Sequence, residues 1–159
     1  MEPIEELRFL VLAAQREGSR FFAEALRPWH LTPPQAEVLH VLQDHEPLSL
    51  IALGDLLVSE TGSPSRLVQG LVEDGLVQRL PSATDKRMVT LTLTEPGKEM
   101  ATKVAALQAQ LDASIVPLLK DAPLPEIRAF LWRFVEGKPA GRALARRMGR
   151  ASVDEMPAR

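Results

Sequence analysis

The stretch Leu76–Gly97, LVQRLPSATDKRMVTLTLTEPG, decides how the rest of the chain is read. An apolar, strand-like run from Leu76 to Leu80 stops at Pro81, and the polar loop Ser82-Ala83-Thr84-Asp85-Lys86-Arg87 follows. Val89, Leu91 and Leu93 then alternate with Met88, Thr90 and Thr92, the period of a strand with one buried face. The pattern predicts a β-hairpin with a charged tip. Two strands alone are marginal in water, so this hairpin must pack on other elements.

Working outward, the remaining chain reads as helix, and local caps mark where each helix begins and ends. Ile4 to Leu26 carries an apolar stripe of Leu7, Leu10, Val11, Ala14, Phe21, Phe22 and Ala25, weakened at Gly18 and ended by Pro28. Thr32 followed by Pro33 is an N-cap with proline at the first helical position. The second helix runs to about Asp44 and is expected to bury Val38, Leu39 and Leu42. Ser49 caps a short third helix, Leu50 to Val58, with Leu53, Leu56 and Leu57 inward. Glu60-Thr61-Gly62 forms a turn, Ser63-Pro64 repeats the cap-plus-proline pattern, and the fourth helix, Pro64 to Asp74, closes at Gly75. The third helix, turn and fourth helix make a helix-turn-helix. With the hairpin behind them, the shape is a winged helix-turn-helix.

Beyond the hairpin, Thr94 caps a helix over Glu95–Leu119 with Met100, Val104, Leu107, Leu111, Ile115 and Leu118 at helical spacing. Pro117 lies where that helix kinks or stops. A further helix carries Ile127, Phe130, Leu131, Phe134 and Val135, and Gly137-Lys138-Pro139 breaks it. Ala140 to Arg150 reads as a short helix with Arg142, Arg146, Arg147 and Arg150 and no acid, and residues 151–159 read as a frayed tail. The fold class is thus mainly α with a small hairpin wing, in which a winged helix-turn-helix over 32–94 is flanked by helical arms over 1–31 and 95–150.

Composition removes several classes of function. The 159 residues include no cysteine, which excludes disulfides, thiolate metal sites and cysteine redox sensing. No apolar run is long enough to span a bilayer, and Glu2, Glu5 and Glu6 stand where a signal peptide needs positive charge, so no membrane partner and a cytoplasmic location are expected. A net charge of −2 argues against coating nucleic acid by bulk charge. Between Ser59 and Leu93 the cations Arg66, Arg79, Lys86 and Arg87 are matched by Glu60, Glu73, Asp74 and Asp85, so an argument for DNA must rest on geometry.

Enzyme and metal readings find little support. Gly54, Gly62, Gly70 and Gly75 are too dispersed for a phosphate loop. The histidines His30, His40 and His45 have no metal-ligand spacing, and no Ser-His-Asp arrangement is suggested. No cofactor is expected.

At this point the chain resembles the MarR family of bacterial transcription regulators, over about Ile4 to Gly137. Four pieces carry the resemblance: Leu31-Thr32 with Gln35 and Leu39; Leu48-Ser49 with Leu53 and Leu57; Ser65-Arg66-Leu67-Val68 with Leu71 and Gly75-Leu76-Val77; and Asp85-Lys86-Arg87 with Leu93-Thr94 and Gly97. The last piece is the most specific. The Gly62-Ser63-Pro64 lead-in departs from the commoner polar one.

The resemblance implies a homodimeric repressor joined through its first and last helices. Each subunit would offer one winged helix to a half-site of an inverted-repeat operator in double-stranded DNA. It places Arg87 in the minor groove and gives Asp85 the role of orienting the wing. Ser63, Ser65, Arg66 and Gln69 at the recognition helix, Arg79 and Lys86 on the hairpin, and the caps Thr32 and Ser49 complete the expected DNA-facing set. For Ser63, Thr32 and Ser49, simple capping is the competing role; for Arg66 and Gln69 it is a solvated helix face. A small organic anion, aromatic or phenolic, is the implied inducer. Arg16, Arg20, Phe21, Trp29, His30 and His40 are its candidate lining, against the plainer reading of core aromatics and solvated arginines. The alternative function is a winged-helix protein-interaction module without sequence-specific DNA binding, which the net negative charge slightly favours.

Overall fold

A computed structural model describes residues 2–59, 63–82 and 88–149. The turn residues Glu60, Thr61 and Gly62, the wing-tip residues Asp85, Lys86 and Arg87, Arg150 and the tail 151–159 therefore lie outside the described residues. The helices are α1 (Pro3–Leu26), α2 (Pro33–His45), α3 (Leu50–Gly54), α4 (Pro64–Glu73), α5 (Glu95–Ile115), α6 (Leu124–Val135) and α7 (Pro139–Arg147). Strands β1 (Val77–Pro81) and β2 (Val89–Leu93) pair antiparallel, with Val77 opposite Leu93 and Pro81 opposite Val89. This is the expected α-rich chain with a hairpin wing.

The caps act as their sequences imply. Thr32 and Gln35 form a reciprocal capping box at α2, and the hydroxyls of Ser49 and Thr94 accept from the amides of Ala52 and Gly97. Gly75 takes φ +71 at the exit of α4, a conformation that only glycine adopts without strain. The Thr94 hydroxyl also donates to the Gly75 carbonyl at 2.6 Å, which ties the start of α5 to the end of α4. Gly97 is required at this junction: a Cβ there would overlap the Leu76 carbonyl oxygen.

One expectation needs correction. α3 stops at Gly54 and does not reach Val58, because the amides of Val58 and Ser59 turn to the Glu37 carboxylate, at 2.8 and 3.0 Å. As Pro117 implied, α5 ends at Ile115 and continues as a 3-10 turn over Val116–Leu119, since Pro117 has no N–H to extend the α-helical ladder. The wing also gains a third edge. Leu48 exchanges both backbone hydrogen bonds with Leu91, at 3.2 and 2.7 Å, and the adjacent Glu46 carboxylate accepts from the Leu93 amide.

The core sits where α2, α3, α4, the hairpin and the start of α5 meet. Leu39, Leu42, Leu53, Val68, Leu71 and Val104 are fully buried, and Val77, Leu91 and Leu93 nearly so. Each such leucine contributes about 1.5–3 kcal/mol, so this cluster holds the single chain together. The arms are different: α1 buries only Leu26, at its last position, and α6 buries no side chain. No helix among the described residues is long and apolar enough to cross a membrane.

Candidate nucleic-acid interface

The outer face of α4 is built by the inward pull of its other face. Val68 and Leu71 go into the core, which leaves Ser65, Arg66 and Gln69 exposed. Ser63 occupies the N-cap position, yet its side chain makes no capping bond. Pro64 has no N–H and the amides of Arg66 and Leu67 donate to the Ser63 carbonyl, so the helix start keeps the Ser65 amide, and a positive dipole end, beside an uncommitted hydroxyl. Arg66 makes no side-chain hydrogen bond or ion pair among the described residues, so its guanidinium is available to an incoming acceptor.

Gln69 and Arg79 belong to one chain of contacts. Arg79 Nη1 donates to Gln69 Oε1 at 2.8 Å, and Gln69 Nε2 donates to Glu73 at 2.7 Å. Recognition helix and hairpin are thereby linked across their exposed side. Sequence reasoning named Gln69 and Arg79 but missed Glu73, although the spacing of four residues on one helix would have found it. Thr32 and Ser49 are both engaged in capping, as the plainer reading expected. Lys86, Arg87 and the wing-orienting Asp85 fall outside the described residues.

The six residues expected around an organic anion are dispersed. Phe21 lines a groove of about 410 Å³ between α1 and α5, together with Phe22, Leu111 and Ile115. Arg20 turns to Glu17 at 3.4 Å on the surface of α1, and Arg16 is exposed on the same helix. Trp29 packs against the core from the 3-10 turn over Arg27–Trp29, and His30 is exposed with φ +55. His40 lies on α2 with its Nε2 3.9 Å from Asp44, while its buried Nδ1 has no hydrogen-bond partner. Among the described residues no group of three or more acidic or histidine side chains is placed to hold a metal.

A model described as the MarR family matches residues 30–88, which takes in α2, the helix-turn-helix and the hairpin. The organic hydroperoxide resistance transcriptional regulator of Bacillus subtilis is 27% identical over 133 residues, covering 82% of this chain and 88% of that protein. A mutant of E. coli MarR, solved in complex with operator DNA, is 26% identical with a TM-score of 0.72, covering 83% of this chain and 95% of that one. Over residues 30–88 the chain is similar to the MarR family. BpsR of Bordetella bronchiseptica, whose DNA binding is regulated by 6-hydroxynicotinic acid, shares the fold at a TM-score of 0.74 and 20% identity, covering 87% of this chain and 99% of that one. The MarR-family relatives are transcriptional regulators, not enzymes, and the chain matches them as a winged-helix transcriptional regulator. The sequence has no cysteine.

Proposed function

We propose that this chain is a homodimeric repressor of the cytoplasm that binds an inverted-repeat operator and leaves it when a small organic anion, aromatic or phenolic, is bound. The observation that carries the DNA reading is the exposed face of α4. Ser65 and Arg66 point outward, and the Ser63 hydroxyl is left uncommitted at the helix N-terminus. In that reading Arg66 meets a base edge or a nearby phosphate, and Ser63 and Ser65 meet phosphate or base edges. The amides at the capped starts of α2 and α3, near Thr32 and Ser49, serve the DNA backbone. Arg79 with Lys86 adds cations along the hairpin, and Arg87 is assigned to the minor groove on the family resemblance, with Asp85 orienting it.

The winged-helix unit is 32–94, and the arms 1–31 and 95–150 are the dimer region. Support for the dimer comes from apolar exposure on the arms: Leu10 is 58% exposed, Leu118 80% and Phe134 64%. A soluble chain covers such surface with a partner, and a twofold copy is the simplest one. Release by an organic anion rests on the family resemblance and on the aromatic groove between α1 and α5.

The test is direct. The purified protein is first used to select duplexes from a randomised pool, and its mass in solution is measured by light scattering. A dimer that protects an inverted repeat with half-site centres about 10 bp apart is the expected result. A panel of aromatic and phenolic acids should then include at least one that releases the selected duplex. A monomer, or an asymmetric footprint, would overturn the reading.

A further inference from the structure

The arginines of α7 are unused by the DNA reading; Arg142 turns back to the Gly137 carbonyl, and the other two find partners on the helix-turn-helix. The helix is aimed at its root. Gly137 takes φ +70, and Gly141 lies so near the Val135 carbonyl that any Cβ would overlap it. α7 therefore folds back from the end of α6, and Ala143 is buried. Its far end lands on the helix-turn-helix. Arg146 Nη1 lies 3.4 Å from the Asp55 carbonyl oxygen and 3.5 Å from its carboxylate, just beyond α3. Arg147 Nη1 donates to Glu37 Oε1 on α2 at 2.8 Å.

Glu37 is the centre of this arrangement. Its side chain is only 14% exposed, and Arg147 is 21% exposed. One carboxylate oxygen accepts from the Val58 amide and from Arg147; the other accepts from the Ser59 amide and the Ser59 hydroxyl. These amides belong to the segment that leads from α3 towards Ser63 and α4. A mostly buried carboxylate without a cation is costly to keep. The Arg147 guanidinium supplies that cation from a helix 110 residues away in sequence.

We propose that Arg147 is a positioning residue: α7 straps the C-terminal arm to Val58 and Ser59, ahead of α4, through Glu37, and so sets the angle at which the recognition helix is presented. The proposal rests on α4 being the DNA-reading helix. It makes α7 a mechanical link by which a change in the arm reaches the DNA face without passing through the core.

The experiment uses the full chain as wild type, Arg147→Gln, Arg147→Lys, Glu37→Gln and the double variant Glu37→Gln/Arg147→Gln, with Arg66→Ala as the DNA control. Amide exchange without DNA comes first. Arg147→Gln should speed exchange at Val58 and Ser59 while Leu39 and Leu42 keep their protection. A selected duplex is then titrated at several salt concentrations. Arg147→Gln should weaken it by roughly tenfold, with the salt slope unchanged because no phosphate contact is lost, and Arg147→Lys should restore most of the affinity. In the Glu37→Gln background, where no buried charge needs compensation, Arg147→Gln should add little.

Unchanged exchange at Val58 and Ser59, or exchange raised throughout the chain, overturns the strap whatever the DNA result. A salt slope reduced by about one per arginine would make Arg147 a phosphate contact and also overturn it. Local exchange raised, with affinity lost in Arg66→Ala but intact in Arg147→Gln, overturns the strap and keeps the DNA reading. Affinity intact in both overturns the DNA reading, and the strap falls with it.

Discussion

Arg79 on β1 and Gln69 on α4 are joined by a 2.8 Å hydrogen bond from guanidinium to amide oxygen. Hairpin and recognition helix thus meet through exposed side chains as well as through the core beneath. Gln69 is also held by Glu73 at 2.7 Å, so its amide is oriented in the free chain. A double-mutant cycle with Gln69→Ala and Arg79→Ala should give a coupling of about 0.5–1 kcal/mol in duplex affinity, modest because the pair is open to solvent. Additive effects in fluorescence anisotropy would mean that the bond plays no part in binding.

Arg66→Ala should leave the fold and the dimer intact, because the side chain is exposed. Its cost should be roughly 1–3 kcal/mol, with preference relaxed at one symmetric pair of operator positions. Titration against singly substituted duplexes distinguishes this from a uniform loss, which would place Arg66 on a phosphate instead.

Arg87→Ala should behave differently. The minor groove attracts arginine through its narrowness and potential more than through base identity. Affinity should therefore fall on all duplexes alike, and the slope of log K against log salt should shrink by about 0.9 for each phosphate charge no longer neutralised. A change in base preference with the slope intact would contradict the assignment.

Phe130→Asp tests the dimer. Phe130 is 46% exposed on a helix that buries none of its side chains, so a single chain loses little from the substitution. Light scattering should report a shift to monomer at micromolar concentration, with helical circular dichroism preserved and duplex affinity lost in parallel. A dimer that persists with full DNA binding would show that α6 lies outside the interface.

Gly97→Ala is a stability prediction. A Cβ at this site meets the Leu76 carbonyl, a backbone atom that cannot swing away. The variant should lose about 2–4 kcal/mol and show a lower Tm by calorimetry. Gly18→Ala is the contrast: nothing lies within 4 Å of the added carbon, and helix propensity favours it.

What was legible in the sequence was local. Thr32-Pro33, Ser63-Pro64 and Thr94 with Pro96 announce helix starts within four residues, and Gly75 announces an end. The alternation from Val89 to Leu93 marks the inward face of β2, where Leu91 and Leu93 are buried, while Val89, at the tip end beyond the core, is exposed. The illegible parts were long-range. Nothing near Gly54 says that α3 must stop there, because the carboxylate that takes the Val58 and Ser59 amides sits on α2, 21 and 22 residues earlier. The Leu48–Leu91 bridge is one residue wide and leaves no periodic trace. At the interface, Arg66 and Gln69 could be placed on one helix face from spacing alone, whereas the tie from Gln69 to Arg79 needs the folded hairpin. The arginines of α7 were visible as a run of cations without acids, but their partners were not.

The seam at Thr94, Gly75 and Gly97 makes the winged helix and α5 one rigid piece. Over its 21 residues α5 is about 31 Å long. A tilt of about 10° at the arm end therefore sweeps the other end through roughly 5 Å, more than the 3.4 Å between neighbouring base pairs on one strand. On the operator reading proposed above, a disturbance too small to break any core contact would carry α4 out of register with its half-site. Geared in this way, the proposed release from DNA would need no unfolding step.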